Sequence, residues 1–140
     1  GIPPLGTIER VTAHGWSEVL SRIAENAVVI SNDELAAVYH VGRVDYWLTT
    51  SEWDLARYEL VTKTGRYGEY AGARVISTPD ALRGVTYRGD GRPTAFVLFR
   101  TGRFEYDHYR QLVLDLLGGD QRAVIEERAG VFVLAVPAAR

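Results

Sequence analysis

The sequence predicts an α/β layered domain, with a mostly parallel sheet flanked by helices and a C-terminal antiparallel hairpin. Three observations carry this expectation. Short apolar, β-branched runs at 27–31 (AVVIS) and 94–100 (TAFVLFR) have the continuous hydrophobicity of strands covered on both faces. Segments with a 3.6-residue apolar period lie between such runs, and strands alternating with helices build parallel sheets. The last apolar stretch breaks at Arg128-Ala129-Gly130 into two strands that a tight turn would join.

Residues 1–10 read as a Pro-rich linker segment and 11–140 as a single α/β domain. The spacing of Trp16, Val19, Leu20 and Ile23 predicts an amphipathic helix over Val11–Glu25, with Ser17, Glu18, Ser21 and Arg22 on its other face. After the strand at 27–31, Asn32 is expected to cap a second helix, with Asp33 and Glu34 in its first turn, where the helix dipole favours negative charge. Leu35, Val38 and Tyr39 form the expected inner stripe, and Gly42 suits the left-handed position past a helix end. The aromatic and β-branched run 44–50 (VDYWLTT) reads as the next strand. Ser51–Gly72 is the longest poorly periodic stretch; its first half also fits a packed helix with Trp53, Ala56 and Leu60 inward. A short strand at 73–77 precedes a helix start at Thr78, Pro79 and Asp80. Beyond the loop 87–93 and the strand 94–100, Tyr109, Leu112, Val113 and Leu116 mark a helix closed by Gly118-Gly119.

Composition narrows the function. The 140 residues carry a net charge of -2, with basic residues scattered and Lys63 the only lysine, so no nucleic-acid footprint exists. Cysteine is absent, which removes disulfides and thiolate chemistry. No apolar run reaches the roughly 18–20 residues needed to span a bilayer. Methionine is absent even at position 1, so a chain opening Gly1-Ile2-Pro3-Pro4 is expected to derive from something longer.

No metal, cofactor or catalytic residue is expected. His14, His40 and His108 are far apart and none has a ligand partner at helical spacing. No serine sits in a G-x-S-x-G elbow. The order of elements is Rossmann-like, yet the first strand-to-helix corner reads ISNDEL, with no glycine and two carboxylates where a phosphate would sit. Asp33 and Glu34 are accounted for by the helix start alone.

Candidate binding residues come from two places. In 39–48 (YHVGRVDYWL), a helix-to-strand corner explains most positions, and Arg43 and Asp45, two apart in extended chain, would share one face as a polar pair. In 51–72, Trp53, Tyr58, Arg66, Tyr67 and Tyr70 combine flat rings with hydrogen-bonding side chains, a mix suited to sugar faces or a membrane interface. Within it, 65–72 (GRYGEYAG) is expected to be a mobile, glycine-hinged loop presenting Tyr67 and Tyr70.

The order of these motifs resembles the soluble C-terminal domain of bacterial membrane glycosyltransferases similar to the dolichyl-phosphate-mannose protein mannosyltransferases. Relatives read Tyr-x-x-Gly-Arg-x-Asp-Tyr-x-Leu at the corner, matched by Tyr39, Gly42, Arg43, Asp45, Tyr46 and Leu48, with a later Tyr-x-Gly and Thr-Pro matched by Tyr70, Gly72, Thr78 and Pro79. The resemblance implies a parent with many transmembrane helices and an extracytoplasmic Rossmann-like tail, whose partners are the transmembrane part of the same polypeptide and a glycan or lipid-linked sugar. It places the catalytic acids in loops outside this chain, so the 140 residues alone are expected to transfer no sugar. The alternative is a free-standing Rossmann-like small-molecule or nucleotide-binding enzyme, against which the missing phosphate loop counts.

Overall fold

The computed structural model describes residues 18–100, 105–128 and 130–138. In chain order these form β1 (Val28–Ser31), α1 (Glu34–Val41), β2 (Tyr46–Leu48), α2 (Glu52–Tyr58), β3 (Glu59–Thr62), β4 (Gly65–Gly68), β5 (Arg74–Ile76), α3 (Pro79–Thr86), β6 (Thr94–Phe99), α4 (Tyr106–Leu117), β7 (Val124–Arg128) and β8 (Val131–Val136). The strands make one eight-stranded sheet, ordered β3-β4-β5-β2-β1-β6-β8-β7.

This sheet corrects the expected mostly parallel, Rossmann-like architecture. Pairings β5–β2, β2–β1 and β1–β6 are parallel, but β3–β4, β4–β5, β6–β8 and β8–β7 are antiparallel, so the sheet is mainly antiparallel. Two departures produce the difference. The stretch Ser51–Gly72 holds α2 and the β3–β4 hairpin rather than a loop. A parallel neighbour needs a crossover of a dozen or more residues, and the link between Thr62 and Gly65 is far too short for one. At the other side β8 inserts antiparallel between β6 and β7, from Thr94↔Val136 to Phe99↔Val131.

Both faces of the central sheet are covered, which is why all six residues of β6 are buried. One core layer packs Ile30, Leu48, Phe96, Leu98, Tyr109, Val113, Phe132 and Leu134 together with Leu82 of α3. The second joins Val19, Val29, Ala37, Val97, Phe99, Val131 and Val133. Full burial stabilises each such Val, Leu or Phe by roughly 1.5–3 kcal/mol.

Three helix expectations need correction. The chain is helical at 18–20 and turns at 21–22, before Glu25; the earlier part of that segment, with Trp16 and His14, and residues 1–10 lie outside the described residues. The cap of α1 is Asp33, whose carboxylate accepts the Ala36 N–H at 3.0 Å, whereas Asn32 bonds elsewhere. The α1 face is also turned: Leu35, Val38 and Tyr39 are 55%, 43% and 84% exposed, while Glu34 and Ala37 are buried.

Gly42 follows α1 with φ 94°, and its N–H closes on the carbonyls of Ala37 and Val38. A Cβ there would meet open space, so only the backbone conformation opposes substitution. We expect Gly42→Val to cost about 1–2 kcal/mol in urea denaturation, because a β-branched residue is strained at positive φ. An unchanged midpoint would show that α1 does not end in this left-handed turn.

Candidate functional site

In open α/β sheets, ligands usually sit at the carboxyl ends of the parallel strands, where successive connections leave in opposite directions. Here that point lies between β1 and β6. It is closed by Asn32, which accepts the Phe99 N–H through Oδ1 at 2.9 Å and donates from Nδ2 to the Phe99 carbonyl at 3.1 Å. The side chain thus extends the ladder between the two strands. The indole N–H of Trp47 donates to the Asn32 carbonyl at 3.2 Å, completing the plug.

Glu34 follows in the first turn of α1, and its carboxylate faces protein rather than a ligand. Oε2 accepts the Ala71 and Ala73 N–H groups, each at 3.2 Å, and the carboxylate lies against Gly68. Burial pushes its pKa above the ordinary carboxylate value, with the N–H groups of Ala73, Ala71 and Tyr70 opposing that rise. Glu34 is a clamp joining α1 to the turn between β4 and β5.

Arg43 and Asp45 do not form a pair. The Arg43 guanidinium donates to the carbonyls of Ala27 (2.7 Å) and Ala24 (3.3 Å), while Asp45 Oδ2 accepts the Val29 N–H at 2.8 Å. Each ties the start of β2 to the start of β1. The expected mobile loop 65–72 is divided: Gly65–Gly68 is strand β4, and only the residues after it form a turn. Its two tyrosines therefore part company. Tyr67 directs its hydroxyl to Thr64 and its ring toward the Arg74 guanidinium, 5.8 Å away. Arg66 pairs with Glu59 at 2.8 Å.

Three of the expected binding residues do meet. The Tyr58 ring lies 5.3 Å from Tyr70 and 6.1 Å from Trp53, the latter pair edge-on at 62°. The Arg57 guanidinium stacks over Trp53 at 3.7 Å. Trp53 and Tyr70 remain 49% and 52% exposed, so the inward stripe of Trp53, Ala56 and Leu60 is also corrected; Asp54 is the buried residue of α2. The helix is held by Ser51, whose hydroxyl accepts the Asp54 N–H at 3.2 Å. Arg57, four residues after Trp53, reaches its ring at the i,i+4 spacing of one helix face.

Elsewhere, His108 Nε2 lies 3.2 Å from Thr50 Oγ1. No described carboxylate hydrogen-bonds that imidazole, so the pair lacks the orienting group an activated nucleophile needs. Among the described residues no three His, Asp or Glu converge as metal ligands, and no helix is long and apolar enough to cross a membrane. No protein-family model, curated protein or solved structure matches the chain.

Proposed function

We propose that this is a non-catalytic binding domain of a membrane-bound glycosyltransferase that uses a polyprenyl-phosphate sugar donor, and that it holds acceptor glycan on Trp53, Arg57, Tyr58 and Tyr70. The observation that supports this reading most is the half-exposed chain of three touching rings with a guanidinium stacked at one end. A pyranose presents apolar C–H faces flanked by hydroxyl groups. Ring faces accommodate the first, and the guanidinium and phenol hydroxyls bond the second. The exposed apolar face of α1, Leu35, Val38 and Tyr39, suits contact with the remainder of the parent polypeptide outside the membrane.

Calorimetric titration of the domain with mannose-, glucose-, galactose- and arabinose-based oligosaccharides should show saturable binding to at least one of them. Trp53→Ala and Tyr70→Ala are each expected to weaken binding roughly tenfold, the scale of about 1.4 kcal/mol for a lost stacking contact. Because both rings are half exposed, the melting temperature should stay within a few degrees. Absence of binding to every glycan would sink the reading. So would a parent reading frame without apolar spans of roughly 20 residues, for the membrane part of it.

A further inference from the structure

A cavity of about 310 Å³ opens at the amino ends of three parallel strands, where Val28, Tyr46 and Arg74 begin β1, β2 and β5. That volume is at the lower end of small-molecule sites, roughly 300–1,000 Å³. Its polar lining is Asp45, Tyr46, Tyr67, Arg74, Arg88, Asp90 and Arg92.

These groups divide into a frame and a set of free donors and acceptors. Arg88 belongs to the frame: its guanidinium bonds Asp90, Thr94 and the carbonyls of Val85, Arg92 and Pro93. All five of its N–H donors are engaged. Asp90 also accepts the Arg92 N–H at 3.0 Å, which ties the loop carrying Arg92 to this frame. Arg92, which also lines the cavity, donates from Nε to the Asn26 carbonyl at 2.8 Å, and its two terminal amino groups make no hydrogen bond among the described residues. The Arg74 guanidinium has only the Tyr67 ring as a described partner. Asp45 uses Oδ2 on Val29, and its Oδ1 has no described donor.

Arg74 and the Arg92 loop stand on strands β5 and β6, which two strands separate. Three interstrand spacings amount to about 14 Å. Both arginines line the cavity, one from each of these flanks. Two guanidiniums lining one cavity suit the dianion of a phosphate monoester, which accepts several forked bonds at once. The nearby carboxylate of Asp45 disfavours a second anionic group and accepts hydroxyl protons instead.

We propose that this cavity binds a small phosphate monoester carried on a polyhydroxyl body, with Arg74 and Arg92 on the phosphate and Asp45 on a hydroxyl. The ligand is a free sugar phosphate or the phosphorylated sugar headgroup of a lipid, since both present the same chemistry. The site shares no residue with the aromatic surface, so it stands or falls independently of the glycan reading.

Calorimetric titration of the 140-residue chain with glucose 6-phosphate, glucose and inorganic phosphate, and flotation with phosphatidylcholine vesicles doped with phosphatidylinositol 4-phosphate, test it. Binding to glucose 6-phosphate well above binding to glucose marks a free ligand, and binding to the doped vesicles alone marks a headgroup; either supports the site. Arg74→Gln should weaken binding by about tenfold or more, as loss of a charge-assisted fork does, with the melting temperature unchanged. Asp45→Asn keeps an acceptor for Val29 and should narrow the preference for glucose 6-phosphate over inorganic phosphate. The proposal is overturned if no phosphorylated probe binds, if inorganic phosphate binds as tightly as glucose 6-phosphate, or if Arg74→Gln and Arg92→Gln both bind normally.

Discussion

Asn32→Ala is expected to destabilise the domain by about 2–4 kcal/mol, measured by urea denaturation. The wild-type side chain is 1% exposed and makes two bonds to one residue, the N–H and carbonyl of Phe99. Alanine removes both at once in a site that water enters poorly, and each buried group deprived of its partner costs roughly 1–3 kcal/mol. Asn32→Asp sharpens the test. One carboxylate oxygen would keep the Phe99 N–H, but the other would face the Phe99 carbonyl with no proton to share. Its loss should exceed that of alanine at neutral pH and shrink on acidification, once the carboxyl protonates and becomes a donor. A loss under about 1 kcal/mol for alanine would mean that Asn32 does not join β1 to β6.

The second large effect is expected at Gly68. A Cβ built there overlaps the Glu34 carboxylate, which is buried and held by the Ala71 and Ala73 N–H groups. Gly68→Ala must expel that carboxylate and break both bonds, a loss of about 3–6 kcal/mol at 1.5–3 kcal/mol per charged hydrogen bond. Glu34→Ala removes the same bonds from the other side. The two losses should therefore not add: the double variant should be about as stable as Glu34→Ala alone. Additivity would show that the two residues do not touch.

Glu34 also gives a pH signature. Its folded pKa is raised above 4.5 by burial, so the folded state holds the proton more tightly than the unfolded chain. That contribution to stability is fully present below about pH 4.5 and is lost as pH rises through the folded value. His40, lowered from 6.5 by burial, acts with the opposite sign: its contribution is present above pH 6.5 and lost as pH falls through its folded value. The difference between wild type and Glu34→Gln cancels the histidine and isolates the glutamate. A pH-independent difference between them would refute the raised pKa.

Much of the local structure is legible in the residues. The run Ala27–Ser31 contains a strand, Thr78-Pro79 starts a helix, and Gly42 and Gly118 end helices, because each depends on neighbours within one turn. Trp53 and Tyr58 belong to one short helix, and Tyr70 returns to them, so part of the aromatic surface could be read from composition and proximity in sequence. Tyr67 could not be separated from Tyr70 in this way. Three residues apart, they diverge because Tyr67 is committed to β4, in register with Arg74 and Leu60.

What the sequence by itself determined was therefore local: the alternation of strands and helices, their caps, the absence of a phosphate loop, and the aromatic density of 51–72. Tertiary structure alone decided the direction of the strands and the meaning of the polar residues. The exposed apolar pattern of β3 carries little periodic signal, and whether it pairs parallel or antiparallel depends on partners outside it. The same holds for α1, whose apolar stripe yields the inner face to Glu34 and Ala37, the Glu34 carboxylate accepting the Ala71 and Ala73 N–H groups there. The cavity of Asp45, Arg74 and Arg92 is likewise invisible in one dimension. Its members are 29 to 47 residues apart from Asp45, and only the order β5-β2-β1-β6 brings them to one edge of the sheet.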